Sequence, residues 1–343
     1  MSILPEKVFV GLDYHLNVIQ VCVLDSDGNQ LINGTRPNNV DAVASVVPAG
    51  IEVEAAIESC CGAATFAEQL MEHTGWSVNL AHAGYVSRMK QTPDKTDYTD
   101  ARLLADLVRV GYLPRVWLAP LKTRELRRTI RLRQQIVADR KKEKLRCSAI
   151  LRDLRVKNPA GNRTWSKPWR MWIAEVELPE ASRFAMDLHL KKIANYNEEL
   201  KLVEGRLKQM IQRDTLSQWL LEQAGIGLVT AVTLRAEIGR FDRFRNGKQL
   251  ARFCGVTPRN ASSGDRQADA GLVKGSNRQL RQVLIEAAHR LKNHEERWAE
   301  LAQRMKQRGK APGVITAAIA NRWIRGLFYE AKRAAENGYK IAA

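Results

Sequence analysis

The 343-residue sequence lacks three features that would place it in other protein classes. No apolar run approaches the roughly 18 residues that a membrane-spanning helix needs, and no basic segment followed by an apolar one stands at the N-terminus. Its cysteines are few, odd in number and never spaced as CxxC pairs: Cys22, Cys60, Cys61, Cys147 and Cys254. This pattern argues against a disulfide framework and a zinc site. We therefore expect a cytoplasmic protein with reduced cysteines and no membrane partner.

Acidic residues are outnumbered by basic ones in the whole chain, but not in its first part. The sequence has 55 Lys and Arg against 37 Asp and Glu, a net charge of +18. Residues 1–118 nevertheless carry 8 basic and 14 acidic residues, so the remainder has a net charge of +24. This division indicates metal chemistry in the first part and polyanion binding in the second. A solvated basic surface is the alternative interpretation of the second part.

Residues 1–118 have the strand and helix order of a ribonuclease H-like α/β domain. Three strands in a meander are predicted over residues 7–34, followed by a fourth strand at 51–59. A helix at about 62–74 and a fifth strand at 77–82 come next, and a further helix begins near Asp100. A meander followed by alternating strands and helices is typical of this class of domain.

Residues 119–215 are predicted to form a basic helical spacer. The segment 121–157 holds 14 basic and 4 acidic residues and contains no glycine or proline. From residue 186 onward, apolar or bulky residues recur in heptads at two positions: Met186, Ile193, Leu200 and Leu207, and His189, Tyr196, Val203 and Met210. This repeat predicts a coiled coil. An amphipathic helix that packs within one monomer is the alternative.

Residues 216–343 are predicted to form a third, mostly helical unit with one long polar loop at 256–276. The segment AGIG at 224–227 resembles a helix-hairpin-helix loop, in which Gly225 and Gly227 would let backbone amides approach a phosphate. A plain turn between two helices is the alternative interpretation.

Four acids occupy positions at which they could meet. Asp13 ends the first strand, Glu58 ends the fourth strand, and Asp97 and Asp100 stand at the start of a helix. Acids in a first helical turn can simply interact with free backbone amides, with Thr96 or Asp97 as the N-cap. If the four converge, however, their mutual repulsion requires cations, and two Mg²⁺ ions are the natural occupants. His15 is assigned no role.

Two motifs in this sequence resemble those of a known enzyme family. GLDYH, AIES and KTDYTDA resemble the D, E, D, D pattern of the DEDD insertion-sequence transposases of the IS110 family, whose first domain is similar to RuvC-type Holliday-junction resolvases. FCGVTPRNASSGDRQADAGLVKGSNRQLR resembles the second signature of that family. The resemblance covers both ends and nearly the whole chain.

The resemblance implies a DNA recombinase that excises and inserts its own mobile element. It assigns metal binding to Asp13, Glu58, Asp97 and Asp100 and the nucleophile to Ser263, with Ser262 left open as the alternative. It further implies that a structured noncoding guide RNA chooses the DNA sites and that protomers form a dimer to tetramer. The acids of one subunit would then serve the serine of another. The resemblance also implies that the protein is associated with the bacterial nucleoid.

The loop that carries Ser262 and Ser263, the serine loop, is chemically suited to that reaction. A hydroxyl is a weak nucleophile, and its attack on a phosphodiester requires activation and neutralisation of the phosphoryl charge. Basic residues that follow the serine could hold the DNA backbone: Arg266, Lys274, Arg278 and Arg281. An SSG sequence alone would be ordinary turn chemistry.

Three other functions remain as alternatives. A metal-dependent Holliday-junction-type endonuclease would use activated water and leave no covalent intermediate. A sugar-kinase or actin-like ATPase is disfavoured because DYHLN lacks the glycine turn that phosphate binding requires. A noncatalytic RNA-binding scaffold would bind equally well without the acids.

Overall fold

The computed structural model describes residues 5–90, 96–159, 161, 163–261 and 269–336. The chain divides into two compact units, Met1–Ala119 and Pro120–Ala343. The first unit is a mixed α/β domain and the second is mostly helical. These observations confirm, at this level, the fold class expected from the sequence. Among the described residues, no helix combines the length and apolarity required to cross a membrane.

The first unit is built on a six-stranded sheet in the order β3-β2-β1-β4-β5-β6. Its strands are β1 (Lys7–Tyr14), β2 (Val18–Leu24), β3 (Gln30–Pro37), β4 (Glu52–Glu58), β5 (Ser77–Ala81) and β6 (Arg115–Val116). The first three strands form an antiparallel meander, whereas β1, β4 and β5 run parallel. Strand β6 pairs antiparallel with β5.

Over the part of this unit that the structure describes, four helices pack with the sheet: α1 (Val40–Ala44), α2 (Ala63–Thr74), α3 (Ala83–Val86) and α4 (Asp97–Arg109). The five predicted strands and the helices α2 and α4 are present close to their expected bounds. The sequence analysis missed α1, α3 and β6, because each is too short to produce a periodic apolar pattern.

The two faces of β1 pack against different helices because successive side chains of a strand point to opposite sides. Val8, Val10 and Leu12 lie in one apolar cluster together with Phe66 and Leu70 of α2. Phe9 lies on the opposite face, in a second cluster with apolar residues of α4. Asp13 is four residues after Phe9 in the same strand, so its side chain also points to the α4 side of the sheet.

Gly11 allows α4 to pack very closely on β1. A Cβ atom built at Gly11 would collide with the carbonyl oxygen of Ala101 and lie 2.6 Å from the backbone nitrogen of Ala105. Ala101 and Ala105 are themselves fully buried beside Cys22 and Leu24 of β2. Small residues on both sides therefore set the distance between the helix and the sheet.

The second unit contains nine helices and one hairpin within its described residues. The helices are α5 (Leu121–Asp153), α6 (Lys167–Glu175), α7 (Glu180–Ile211), α8 (Thr215–Glu222), α9 (Leu228–Ile238), α10 (Gly247–Phe253), α11 (Arg278–His294), α12 (Glu296–Gln307) and α13 (Pro312–Glu336). Strands β7 (Pro258–Asn260) and β8 (Asp269–Leu272) form the hairpin. A 3-10 helix at Phe241–Arg243 precedes α10.

The two long helices α5 and α7 pack against each other along their length. The heptad residues Met186 and Ile193 are buried with Cys147 of α5, and Leu207 is buried with Ile130 of α5. These contacts lie within one chain, as the alternative interpretation of the repeat expected. A coiled coil between chains stays a prediction. The predicted domain boundary at residue 215 also stays a prediction. Helix α9, which lies beyond that boundary, contributes to the same apolar cluster as α5 and α7.

Helices α8 to α13 surround a single large apolar core. Leu234 of α9, Leu284 of α11 and Ile324 of α13 have no exposed surface and lie together at its centre. Asn321 of α13 donates hydrogen bonds to the carbonyl of Val256 at 3.1 Å and to Thr257 Oγ1 at 3.3 Å. The base of the β7–β8 hairpin is thereby fixed to this core.

We predict that Gly11→Ala destabilises the first unit by about 1–3 kcal/mol, because the added methyl group overpacks the contact between β1 and α4. Urea unfolding should show a lower midpoint at an unchanged slope. Gly34→Ala is a matched control on β3, since its added Cβ would meet only the end of the Arg36 side chain, at 3.2 Å. Equal stability of the two variants would contradict this account.

Candidate functional site

Three of the four predicted acids line one cavity at the carboxyl ends of the strands β1 and β4. Asp13 and Glu58 stand near the ends of β1 and β4, which are parallel neighbours. The cavity has a volume of about 370 Å³ and is lined by Asp13, Tyr14, Glu58, Cys60, Ser87, Lys90 and Asp100. The parallel pairing of β1 and β4 thus brings together acids that are 45 residues apart in the sequence.

The fourth acid, Asp97, opens helix α4 one turn before Asp100. Thr96 is the N-cap residue, and its hydroxyl oxygen accepts a hydrogen bond from the amide of Thr99 at 3.2 Å. Because Thr96 serves as the cap, neither aspartate side chain is used for that purpose. Asp100 is buried, with 11% of its side chain exposed, whereas Asp97 is 54% exposed.

His15 joins this site, although the sequence analysis gave it no role. Its Nε2 lies 3.2 Å from Oδ2 of Asp13 and 3.3 Å from Oδ2 of Asp97. Asp13, His15 and Asp97 can each offer one ligand atom within 4.8 Å of the others. The hairpin turn, closed by a bond from the amide of His15 to the carbonyl of Val18 at 3.0 Å, positions the ring. The signal available in the sequence was the position of His15 in a turn directly after Asp13.

Lys90 is a second residue that the sequence analysis missed. Its Nζ lies 2.5 Å from Oδ2 of Asp100, and 24% of its side chain is exposed. No spacing rule indicates this pairing, because Lys90 follows the short helix α3 and reaches Asp100 only in the folded unit. The ammonium group offsets part of the negative charge of the site.

The site is electrostatically strained. Burial raises the pKa of Asp13 above its ordinary value of 3.8, and the nearby charges of Asp97 and Asp100 raise it further. The contact with His15 opposes this shift and lowers the pKa. A bound cation would stabilise the ionised form of Asp13 and reduce the repulsion between the neighbouring carboxylates, so this site favours cation binding. Carboxylate oxygens are the ligands that hard divalent cations prefer.

The predicted nucleophile lies outside the described residues, as do its alternative and the first of the predicted DNA contacts: Ser263, Ser262 and Arg266. The hairpin that carries this loop is described. Asn260 of β7 pairs with Asp269 of β8, and the amide of Val273 donates to the carbonyl of Thr257 at 3.1 Å. The two strands that flank the serine loop in the sequence are therefore paired in a short hairpin.

A buried carboxylate supports the segment that follows the hairpin. Asn277 caps helix α11 through a bond from the amide of Leu280 at 3.0 Å. Its side-chain amide donates to Oε2 of Glu237 on α9 at 2.7 Å. Glu237 is 3% exposed and pairs with Arg131 of α5 at 2.9 Å. This network connects three helices to the C-terminal side of the hairpin.

The remaining predicted DNA contacts on this segment differ in their surroundings. Lys274 and Arg278 are exposed. Arg281 is half-buried, and its guanidinium donates to the carbonyl of Val273 and to Ser276 Oγ. Gly255 has a φ of +72° and lies against Ser276 and Arg281, so a side chain there would disrupt the same turn. The structure therefore gives Arg281 a role in holding the turn.

The two glycines of the AGIG segment also differ. Gly225 has a φ of +77°, and a Cβ there would lie 2.7 Å from Cδ2 of Leu291 on α11. Close packing therefore accounts for Gly225. Gly227 is the N-cap of α9, and a Cβ there would meet no atom within 4 Å among the described residues. Phosphate contact by either glycine stays a prediction.

We predict that Asp13→Asn raises the melting temperature of the metal-free protein at neutral pH. The folded chain retains a proton on Asp13 at pH values where the unfolded chain, with a pKa near 3.8, has lost it. Ionised Asp13 therefore opposes folding, and its effect grows as the pH rises through the raised pKa. The advantage of the variant should shrink as the pH falls from the raised pKa towards 3.8, and it should be absent at lower pH.

Thermal melts in the presence of a chelator, over this pH range, measure the effect. Asp27→Asn removes an exposed carboxylate outside the site and is the control. A melting temperature of Asp13→Asn at or below that of the parent chain at neutral pH would refute the electrostatic account.

Two family models match the chain in succession. Residues 10–155 match the transposase model of the DEDD IS110 type. Residues 217–303 match the model described as the transposase IS116/IS110/IS902 family. The first match contains all four acids, and the second contains the hairpin and the serine loop.

Curated transposases are similar to this chain over most of its length. The transposase for insertion sequence element IS1328 of Yersinia enterocolitica is 24% identical, over 94% of this chain and 96% of its own. The transposase for insertion sequence element IS1111A of Coxiella burnetii is 23% identical, over 83% of this chain and 78% of its own. A probable family 20 transposase of Pseudomonas aeruginosa is 30% identical over 142 residues, which are 38% of this chain and 42% of its own.

Proposed function

Because the chain belongs to the IS110 family of transposases, we propose that it excises and inserts its mobile element through a serine–DNA intermediate and a metal site of four acids. As a transposase, it binds DNA. The steps of the reaction and the residues assigned to them are our proposal. The observation that carries it is the meeting of Asp13, Glu58 and Asp100 in one cavity, with Asp97 beside Asp13.

The sheet supports the assignment of a ribonuclease H-like, RuvC-like domain. Its order of β3-β2-β1-β4-β5, with an antiparallel meander followed by parallel strands, is the order that this assignment requires. Asp13 and Glu58 occupy the ends of the two central parallel strands, where open α/β sheets commonly bind ligands. The proposal therefore depends on topology as well as on residue type.

The acids fit a divalent metal, and two Mg²⁺ ions are proposed. Asp13, Glu58, Asp97 and Asp100 would hold them. Bound ions would neutralise the phosphoryl oxygens and lower the pKa of the attacking hydroxyl. The raised pKa of Asp13 is the observation in favour, because desolvation and neighbouring acids both penalise its free carboxylate. Lys90 partly balances the same charge at Asp100, and the His15 ring contacts both Asp13 and Asp97.

Ser263 is proposed as the nucleophile, with Ser262 as the alternative. Its Oγ would attack a backbone phosphorus, forming a serine–phosphate ester and breaking one phosphorus–oxygen bond of the DNA. The serine proton would leave with a base, and the displaced DNA oxygen would become a free hydroxyl. The anchored hairpin supports this role, because a nucleophile on a loop requires a rigid base.

RNA binding and self-association are also proposed. Some cations of α5 are bonded within the same unit. These pairs are Arg127 with the carbonyl of Ala236, Arg131 with Glu237, and Arg133 with Glu204. Lys122, Arg128 and Lys141 are exposed, so they are the ones that could contact a guide RNA backbone.

Exposed apolar residues on the long helices support an assembly of two to four protomers. Helix α7 leaves Phe184 and Leu202 at 67% and 75% exposure, and α5 leaves Leu145 at 55%. A second copy that covered these side chains would bury their apolar surface. An active site that combines the acids of one protomer with the serine of another would then be possible.

We predict that Asp13→Asn and Asp100→Asn each weaken divalent-metal binding about tenfold or more, because each removes a charged oxygen ligand. Mn²⁺ serves as the probe, and the electron paramagnetic resonance signal of the free ion measures its binding without reference to activity. Asp27→Asn is the control and should bind as the parent does. Unchanged Mn²⁺ binding in both site variants would rule out the metal site.

We predict that Ser263→Ala reduces strand exchange by about 10³-fold or more and abolishes the covalent protein–DNA adduct. Supercoiled DNA that carries the element ends is the substrate, and digestion of the adduct locates the modified residue. Ser262→Ala is the matched control and should retain both activities. If the adduct persists in Ser263→Ala but not in Ser262→Ala, the nucleophile is the neighbouring serine. If cleaved DNA never carries protein, the Holliday-junction-type endonuclease is the better assignment.

A further inference from the structure

A large groove lies beside the base of the β7–β8 hairpin. It has a volume of about 850 Å³, and its walls are the hairpin base, the start of α10 and one side of α13. Its lining includes Thr257 and Pro258 before the serine loop and Gly271 and Leu272 after it. None of the residues assigned above to metal or DNA binding lines this groove.

The groove is strongly positive, and the described residues that line it include no acid. Four basic residues surround it: Lys248, Lys310, Arg322 and Arg325. Within the described parts of the chain, none of these ammonium or guanidinium groups has a hydrogen-bond or carboxylate partner. Three of the four are exposed, and Arg325 is half-buried. The half-buried Arg235 and Arg127 elsewhere in this unit are paired with an acid or a carbonyl. Four unpaired cations around one concavity indicate a polyanionic ligand.

Part of the groove lining is apolar and formed by small residues. Gly313, Ala317 and Ala318 of α13 belong to it, together with Val314, which is 52% exposed. Val314, Ala318, Arg322 and Arg325 follow the helical spacings i, i+4, i+8 and i+11, so they form one stripe along α13. Small apolar residues at one end of the stripe and cations at the other suit a ligand with flat apolar groups and phosphates.

A single nucleic-acid strand has that chemistry. Its bases and sugars can enter a concavity, while the phosphates remain at the charged rim. A duplex presents its phosphates on a broad convex surface and would touch only the rim. The groove is therefore shaped for a strand whose bases are unpaired.

The position of the groove identifies which strand it would bind. The cavity begins at the pair Pro258–Leu272, and the serine loop leaves the hairpin from the pair Asn260–Asp269, two residues farther along. Asn321 hydrogen-bonds to Val256 and Thr257, so the hairpin base and α13 hold a fixed relation. The groove therefore lies beside the hairpin that carries the proposed nucleophile, where the nucleotides next to the cut phosphate would pass.

We propose that this groove binds a short unpaired segment of the DNA strand next to the phosphate that is cut. Lys248, Lys310, Arg322 and Arg325 contact its phosphates, and Gly313, Ala317 and Ala318 contact its bases and sugars. The proposal rests on the proposed function, because it takes the cut phosphate to lie at the serine loop. Its ligand is single-stranded DNA, which is held open by the protein during exchange.

The test compares two double variants with equal loss of charge. Arg322→Gln with Arg325→Gln removes two cations from the groove, and Arg304→Gln with Lys306→Gln removes two exposed cations from α12. Both are made in a full-length chain that carries Ser263→Ala, so that bound DNA is not cut. Fluorescence anisotropy with a labelled single-stranded oligonucleotide measures affinity over a series of salt concentrations. Circular dichroism melts verify that each variant is folded.

The groove variant should bind single-stranded DNA about tenfold more weakly, and its salt dependence should be shallower. Each phosphate contact contributes about 0.7 to the slope of log affinity against log salt, so the loss of two contacts should reduce the slope by about 1.4. The α12 variant should keep the parent slope. Equal affinity and slope in the two variants would overturn the proposal, as would a loss confined to an RNA oligonucleotide of the same sequence.

A cross-linking experiment locates the strand without changing the groove. Oligonucleotides with 4-thiothymidine at successive positions are irradiated with the Ser263→Ala chain, and the linked peptides are mapped. Links to residues 312–325 or 257–258 support the proposal, and links confined to other segments overturn it. Both measurements read binding alone. If Ser263→Ala proved fully active while the groove variant bound weakly, the proposed nucleophile would be wrong. The assignment of single-stranded DNA as the ligand of the groove would then still be supported.

Discussion

The close contact between Gly11 of β1 and the backbone of α4 is the constraint on which the candidate site depends. Asp13 lies two residues beyond Gly11 on the same face of the strand, and Asp97 and Asp100 lie in the first turn of the helix. Because the helix backbone rests directly on the glycine, the start of α4 is held against the end of β1. A larger residue at position 11 would move the helix away and separate the acids.

The acids that this packing assembles are costly to the folded chain. Burial and mutual repulsion raise the pKa of Asp13, so the site opposes folding when it is ionised and holds no cation. The protein offsets part of this cost with Lys90 and His15, whose charges or hydrogen bonds face the carboxylates. The rest of the unit compensates through ordinary apolar packing on both faces of the sheet, as in the cluster around Leu12, Ile57 and Leu70. This balance is typical of sites in which function is favoured over stability.

The second unit supports its hairpin by a different means. Glu237 is almost completely buried, and it would be strongly destabilising without the arginines and the Asn277 amide that face it. The same network joins α5, which carries most of the basic segment, to α9 and to the cap of α11. Adjacent to it, Asn321 attaches the hairpin base to α13. The hairpin is thus anchored on both sides by polar side chains within an otherwise apolar core.

The sequence alone determined the order and type of the main elements and the identity of the family. Alternating β-branched residues and turn signals predicted the strands up to β5, and helical periodicity predicted α2 and α4, because these patterns reflect local backbone preference and burial of one face. The acids were identifiable because two of them stand at the ends of predicted strands and two at the start of a predicted helix. Only the tertiary structure decided that His15 and Lys90 join them, since those contacts arise from a hairpin turn and from a segment after a one-turn helix, neither of which has a periodic signature. The groove along α13 likewise exists only after folding, because Lys248, Thr257 and Arg325 are brought together by packing, and nothing in their spacing records that contact.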